Sequence, residues 1–328
     1  MTNFFFSPYG VLPGEYKDNG LNDDTVMKHW RPADAEADRI ASFQSWQRSL
    51  LDQIAQKIWP IYDPRTDSWM GSAVQTATAL TGFELQVMIQ EFIRPNKTLE
   101  AHPNSALSNQ KIENHLAHYQ YEDEKAPGYN FRQYDRTLND SEERLLLHQM
   151  LSAVTSNSLG VGEKISGHFW FKSQLQRPRP LHAALRLNLE ENFVSELSSR
   201  GQHPSIVSGH CLQGIMMCCS VLENWRQNDY NLDSNRVESL AQYMVDVGDR
   251  RVFAGVHYPS DNIASWAVAL SLIPEVFDDA KEIADFVRNA IVEKSFVFEV
   301  IARNYFREPR ASSAIELLSM YGLAQVAV

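Results

Sequence analysis

Cysteine is scarce in this chain. Of its 328 residues only three are cysteine, Cys211, Cys218 and Cys219, and all three lie within one apolar stretch. An odd, closely spaced set of this kind does not make a disulfide framework and is typical of packing thiols in a reducing compartment. Two of the three are adjacent, which also argues against a metal site. The cysteines therefore predict a fold that is held together without disulfides.

Positive charge and long apolar runs are also in short supply. Lys and Arg number 30 against 41 Asp and Glu, which gives a formal net charge of −11. A chain this acidic lacks the broad basic face that nucleic acid or an anionic membrane surface requires. The most apolar stretches, 206–222 and 263–273, are too short or too interrupted to span a bilayer. Residues 1–10 carry neither a basic segment nor a long apolar run, so we expect no signal peptide and a cytoplasmic location.

Convincing strand patterns are absent, whereas helical spacing of apolar residues recurs along the chain. The spacing predicts an all-α protein, a helical bundle. Helices are expected at 36–58, 73–92, 141–158, 163–176, 210–225, 235–248, 260–273, 280–304 and 312–324.

The organisation changes near residue 140. Residues 1–140 comprise an extended N-terminal arm (1–34), bundle helices and a polar, Pro- and aromatic-containing segment at 94–140. A long irregular segment is often functional, so 94–140 is a candidate lid. Residues 141–328 are expected to form the catalytic helical core with the C-terminal helices, in one compact unit. The sequence leaves open whether the protein forms a homo-oligomer.

Three cationic residues stand in short motifs in the middle of this acidic chain. Lys172 lies seven residues before the pair Arg179-Pro180, and Arg251 lies six residues before His257. Three cations suit a tetrahedral oxyanion, because arginine forks can bind two of its oxygens at once. Their convergence makes sense mainly at a phosphate-like site, where a bound dianion would relieve their mutual repulsion.

The second motif is Ser208-Gly209-His210, just before the apolar run 215–222. Ser208 and Gly209 indicate a tight loop that opens a helix, so that the Gly209 amide and the helix N-terminus can face an anion. His210 would then lie beside that anion.

The third motif ends in His257 and Asp261. Pro259 is tolerated in a first helical turn, so His257 is expected at the start of a helix and Asp261 one turn further on. That spacing lets Asp261 hold the imidazole ring. A carboxylate on Nδ1–H selects the tautomer that leaves Nε2 available as a nucleophile.

Taken in order, these motifs resemble the superfamily of type 2 phosphatidic acid phosphatases, bacterial class A acid phosphatases and vanadium haloperoxidases. The family pattern is K-x6-RP, then PSGH, then SR-x5-H-x3-D, and the resemblance covers about residues 165–265. Two positions depart from it: Val207 replaces the usual Pro, and Arg250 replaces the usual Ser and adds a positive charge. The matching residues are Lys172, Arg179, Pro180, Ser208, Gly209, His210, Arg251, His257 and Asp261.

The resemblance implies a metal-independent phosphohydrolase that acts on phosphate monoesters or diphosphates of small molecules without a cofactor. His257 would attack phosphorus, Asp261 would orient it, and His210 would protonate the leaving oxygen and then activate water. The oxyanion would be held by Lys172, Arg179, Ser208, the Gly209 amide and Arg251. The natural substrate is not readable from these residues.

Two other functions remain open. The same site in a vanadium-dependent haloperoxidase would bind vanadate with His257 as its apical ligand, and Lys172 and His210 would polarise hydrogen peroxide for halide oxidation. A non-catalytic phosphate-binding protein is disfavoured, because anion binding alone needs neither the two histidines nor Asp261. Taken alone, the run Arg177-Pro178-Arg179-Pro180 is typical of a helix exit with exposed arginines.

Overall fold

The computed structural model describes residues 45–62, 74–93, 167–175, 177–187, 204–228 and 234–324. Within these ranges no strand occurs, which confirms the all-α prediction. The arm (1–34), the candidate lid (94–140) and the helix expected at 141–158 lie outside the described residues. The helices are α1 Ser45–Ile58, α2 Val74–Val87 with a π-helical extension Met88–Ile93, α3 Gly167–Leu175, α4 Pro180–Arg186, α5 Gly209–Gln227, α6 Ser234–Phe253, α7 Pro259–Val276, α8 Ala280–Lys294, α9 Phe296–Asn304 and α10 Ser312–Met320.

Helix α7 lies at the centre of the described core. Every residue from Pro259 to Leu270 is buried, as expected of a helix that is surrounded on all sides. Helices α1, α5, α8 and α10 all pack against it, and α5 also packs along α6. The residues that begin α7 are therefore shielded from water by the protein itself. None of the helices in the described ranges has the length and apolarity needed to cross a membrane.

Glycines allow α5 and α6 to approach closely. A Cβ added at Gly248 of α6 would lie 2.8 Å from Sγ of Cys211, and one at Gly214 of α5 would lie 3.0 Å from Cβ of Val247. Cys211 is thus a packing residue at the start of α5. Burial raises the pKa of its thiol well above the ordinary value, and Cys218 behaves in the same way. These thiols are not poised to react.

The helix expected at 280–304 is interrupted, so the prediction of one continuous helix is wrong at Ser295. The Ser295 hydroxyl accepts a hydrogen bond from the Phe298 amide at 3.1 Å and donates to the Asp249 carboxylate at 2.9 Å. Serine is a preferred N-terminal capping residue, and here it ends α8 and begins α9. The apolar periodicity continues across the break, which is why spacing alone did not reveal it.

Replacing Gly248 with alanine is expected to lower the melting temperature. The added methyl meets Cys211 Sγ at 2.8 Å and its backbone Cα at 3.3 Å. Overpacking of this kind costs about 1–3 kcal/mol, which outweighs the gain of about 1 kcal/mol from replacing a helical glycine. Gly82→Ala in α2 is the matched control, because among the described residues its Cβ meets only Leu187 Cδ1 at 3.7 Å. Thermal unfolding that shows Gly248→Ala to be as stable as the control would contradict the close α5–α6 contact.

Candidate active site

Hydrogen bonds to backbone carbonyls join the segments that carry the three motifs. The Ser205 amide donates to the Arg177 carbonyl at 2.8 Å, which ties the loop before α5 to the segment between α3 and α4. The Arg179 side chain donates from Nη1 to the Val256 carbonyl at 2.7 Å, which ties that same segment to the turn before α7. The segment of the first motif is therefore hydrogen-bonded to the segments of both other motifs.

A tight turn between α6 and α7 brings Arg251 and His257 together. The Arg251 carbonyl accepts hydrogen bonds from the amides of Val256 and His257, both at 3.2 Å. Gly255 adopts a φ of 73°, in the left-handed region that favours glycine, and this residue reverses the chain after α6. The spacing between Arg251 and His257 thus covers the last residues of α6 and the turn that leads to α7.

His257 lies between Asp261 and Arg179. Its Nδ1 is 3.0 Å from Oδ2 of Asp261, and its Nε2 is 2.8 Å from Nη1 of Arg179. A guanidinium has donors only, so Nε2 has to be the acceptor. The ring proton consequently sits on Nδ1 and is donated to Asp261. The geometry therefore selects the tautomer whose Nε2 lone pair can act as a nucleophile.

The surroundings of His257 are strongly positive. Burial lowers the pKa of His257 well below its ordinary value, and the charges of Arg179, Lys172 and Arg251 lower it further, with a contribution from His210. Burial also lowers the pKa of Arg179 and of Arg251 to about 10 in each case, so both stay charged at neutral pH. The three cations named by the motifs thus act on one neutral imidazole.

Lys172 reaches the site from α3. Its side chain is 4% exposed, and Nζ donates to the carbonyl oxygens of Pro204 and Ser205. Both carbonyls belong to the loop that leads into α5. Carbonyl dipoles hold the ammonium in place without cancelling its charge, which leaves its field available to an anion.

The N-terminus of α5 carries the second motif. Ser208 is the N-cap: its Oγ accepts from the Cys211 amide at 3.4 Å, and a hydroxyl that accepts in this way can still donate its own proton. Its carbonyl accepts from the Ser265 hydroxyl of α7 at 3.2 Å, which fixes the loop on the central helix. Gly209 and His210 open the helix, where amides and the helix dipole favour an anion. His210 is partly exposed.

Gly209 also packs closely against a neighbouring ring. A Cβ at this position would lie 3.0 Å from Cδ2 of the His168 ring. His168 is buried and lies four residues before Lys172 on α3, so both side chains lie on the same side of that helix. The motif search did not single out His168, although this helical spacing from Lys172 was a usable signal.

Arg177 is buried, although the run Arg177-Pro178-Arg179-Pro180 taken alone is typical of exposed arginines. Its side chain is 1% exposed and donates from Nη1 to Asp261 Oδ1 at 2.9 Å and from Nη2 to Glu84 Oε2 at 2.7 Å. Burial alone would lower the pKa of Arg177, but the charges of Glu84 and Asp261 raise it above its ordinary value. Arg250, one of the two residues that depart from the family pattern, is also buried, at 1% exposure. Nothing in the local sequence pattern of α2 pointed to Glu84.

The assembled groups suit the chemistry of a tetrahedral oxyanion. Buried cations and a helix N-terminus can stabilise charge on its oxygens, while Nε2 of His257 supplies a lone pair and His210 supplies a second imidazole. The site roles assigned from the motifs stay predictions. Asp261 and Arg179 contact His257, and the charges of Lys172, Arg251 and His210 act on its pKa.

Comparison with known proteins agrees with the motifs. A family model described as the PAP2 superfamily matches residues 146–282, a range that contains every motif residue from Lys172 to Asp261. No curated protein and no solved structure matches the chain significantly.

Vanadate and inorganic phosphate are expected to raise the melting temperature. A ligand that binds only the folded protein stabilises it by about 2.7 kcal/mol at 100 times its dissociation constant. Arg251→Ala removes a charge-assisted contact of about 1.5–3 kcal/mol, so the same shift should need about 10- to 100-fold more anion. Arg303→Ala is the control, because that side chain is 51% exposed on α9. Equal anion shifts in Arg251→Ala and in the control would show that Arg251 does not bind the anion.

Proposed function

The chain belongs to the PAP2 superfamily, and we propose that it is a metal-independent phosphohydrolase that cleaves phosphate monoesters or diphosphates through a phosphohistidine on His257. The observation that supports this most is the pair of contacts on His257: Asp261 at Nδ1 and Arg179 at Nε2. Members of this superfamily are generally phosphatases. The substrate class and the phosphohistidine are the parts of the proposal that go beyond this general family activity.

In the first half-reaction, phosphoryl binding and attack are coupled through Arg179. Its Nη1 donates to Nε2, and when a phosphoryl oxygen takes over this donor the lone pair becomes available to phosphorus. The Nε2–P bond then forms as the bond from phosphorus to the leaving oxygen breaks. His210 gives its proton to that oxygen, a general-acid contribution of about 10²- to 10⁴-fold. The phosphorylated ring becomes cationic, and the Asp261 carboxylate stabilises it.

In the second half-reaction, water replaces His257 on phosphorus. His210, now unprotonated, accepts a proton from the attacking water, the P–N bond breaks, and inorganic phosphate leaves with the proton balance restored. Lys172, Arg179, Arg251, the Ser208 hydroxyl and the Gly209 amide stabilise the charge on the equatorial oxygens in both steps. Because the pKa of His257 is low, its Nε2 stays unprotonated at mildly acidic pH.

One assay separates this function from the alternative chemistry of the same site. Purified protein is given a panel of phosphate monoesters and diphosphates in the presence of EDTA, and a vanadate-loaded sample is given halide and hydrogen peroxide. Phosphate release with EDTA present supports the proposal. Halogenation by the loaded protein without phosphate release in the first assay would replace it with a haloperoxidase.

His257→Ala is expected to abolish turnover while leaving the fold intact, because it removes the attacking nitrogen. Acid-labile phosphate should be trapped on His257 when wild-type protein is quenched during turnover, and the peptide that carries it identified by mass spectrometry. Hydrolysis at the wild-type rate by His257→Ala would falsify the phosphohistidine route.

His210→Ala is expected to slow substrates unequally. It removes protonation of the leaving oxygen, so an alkyl phosphate should lose about 10²- to 10⁴-fold in kcat/KM, whereas nitrophenyl phosphate, with its good leaving group, should lose much less. With nitrophenyl phosphate the phosphohistidine should accumulate, because the water-activating base is missing. Equal losses on both substrates would instead mean that His210 only binds the anion.

A further inference from the structure

Arg177 is a buried cation whose hydrogen bonds point away from the anion site. It donates from Nη1 to Ser260 Oγ at 2.7 Å and to Asp261 Oδ1 at 2.9 Å, and from Nη2 to Glu84 Oε2 at 2.7 Å. Its guanidinium carbon lies 3.8 Å from the centre of the Tyr258 ring, which covers one face of the group. Both terminal nitrogens of the fork are thus engaged, with two carboxylates and a hydroxyl, whereas Nε has no hydrogen-bond partner among the described residues. It occupies an unspecified position of the K-x6-RP pattern.

The two oxygens of Asp261 have different partners. Oδ2 accepts from His257 Nδ1 and from the Tyr258 amide, both at 3.0 Å. Oδ1 accepts from Arg177 at 2.9 Å and lies 3.5 Å from the Ser205 hydroxyl. Because both carboxylate oxygens accept hydrogen bonds, the group cannot rotate away from the imidazole without also breaking the hydrogen bond between Oδ1 and Arg177.

Glu84 holds Arg177 in turn. This residue of α2 is 0% exposed. Its Oε1 accepts from the Ser260 amide and from the Tyr305 hydroxyl, each at 2.9 Å, and its Oε2 accepts from the Ser260 hydroxyl at 2.7 Å as well as from Arg177. A buried carboxylate with four donors is rigid, because turning it would leave buried polar groups unsatisfied.

These contacts form a chain from α2 to the reacting nitrogen. We propose that Arg177 and Glu84 are positioning residues for the nucleophile: Glu84 fixes the Arg177 fork, and the fork holds Asp261 in the orientation that keeps the proton of His257 on Nδ1. The inference rests on the proposed phosphohydrolase function for its kinetic consequence. Its structural consequence, the tautomer of His257, does not require turnover.

The informative variant removes both charges together. Arg177→Met alone would leave two buried carboxylates uncompensated and endanger the fold, whereas Arg177→Met/Glu84→Gln deletes a buried ion pair as a unit, which proteins often tolerate. Arg177→Lys is the second variant, because it keeps the charge but not the fork. Glu91→Gln is the matched control: Glu91 links the same N-terminal segment to α9 through Arg303 at 3.2 Å and does not contact Asp261.

The double variant is expected to lower kcat about 100-fold, the scale of a misplaced reacting group. KM should change little, and Arg177→Lys should recover part of the loss. The acid limb of the kcat profile should move to higher pH. Burial raises the pKa of Asp261, and Arg177 lowers it more than Glu84 raises it, so removing both leaves the carboxyl easier to protonate as pH falls. Among the described residues, the charged and titratable groups that face Asp261 are His257, Tyr258, Lys172, Arg177, Arg179, Glu84 and Tyr305.

A second readout follows the tautomer directly. In protein labelled with ¹⁵N-histidine, with the His257 signals assigned by His257→Gln, wild type and Glu91→Gln should show a protonated Nδ1 and an unprotonated Nε2. The double variant should show a mixture of tautomers, because Asp261 is then no longer fixed beside Nδ1 and only Arg179 still opposes a proton on Nε2. If wild type hydrolyses no phosphate ester, the proposed function fails and this spectrum alone decides the inference. An unchanged His257 spectrum in the double variant overturns it, and so does a wild-type pH profile, or a Glu91→Gln loss as large as that of the double variant.

Discussion

The carboxylate of Asp261 is completely buried, and it accepts hydrogen bonds from three parts of the fold: the start of α7, the imidazole of His257 and the segment between α3 and α4. A buried charge is costly unless it is paired and fully hydrogen-bonded. Arg177 supplies the pairing, and it is itself a buried charge that requires Glu84. The need to keep one carboxylate ionised beside His257 therefore determines contacts as far away as α2 and the end of α9.

On the other side of the imidazole the neighbouring charges are positive. Lys172, Arg179 and Arg251 are each at most 6% exposed, and all three lower the pKa of His257. Like charges gathered in a buried space cost stability, which is a common feature of functional sites. A doubly charged oxyanion offsets that cost and thereby gains affinity. The neutral ring of His257 thus lies between the ion-paired network of Asp261, Arg177 and Glu84 and the three cations to which the proposal assigns anion binding.

The sequence predicted the local parts of this arrangement better than the distant ones. The i, i+4 spacing of His257 and Asp261 predicted their contact, because one helical turn brings such side chains together, and the two atoms are 3.0 Å apart. The tight loop indicated by Ser208 and Gly209 before an apolar run predicted that a helix opens there, and α5 begins at Gly209. Glu84 was beyond this reasoning, since it lies 93 residues from Arg177 and only tertiary packing joins them.

Two other misses have equally physical reasons. Pro178 and Pro180 end the helical pattern around Arg177, and such flanks usually accompany exposed side chains, yet the tertiary ion pairs keep this arginine buried. Ser295 divides α8 from α9 although the apolar spacing runs on, because a hydroxyl that caps one helix can also satisfy a buried carboxylate, here Asp249. In both places a single buried hydrogen-bonded charge overrides a local tendency.

Arg179 shows how the two halves of the site are coupled. One nitrogen of its guanidinium, Nη1, donates both to the Val256 carbonyl at 2.7 Å and to His257 Nε2 at 2.8 Å. The carbonyl contact anchors the arginine to the turn that carries His257, so the cation follows any movement of the nucleophile. The contact with Nε2 holds the lone pair while the ring proton stays on Asp261. An oxyanion competes for this donor more strongly than a neutral imidazole does, because charge-assisted hydrogen bonds are the stronger kind. In the proposed mechanism, binding of the anion and release of the nucleophile are therefore one event at Nη1 of Arg179, and a neutral ligand of the same shape would not bring it about.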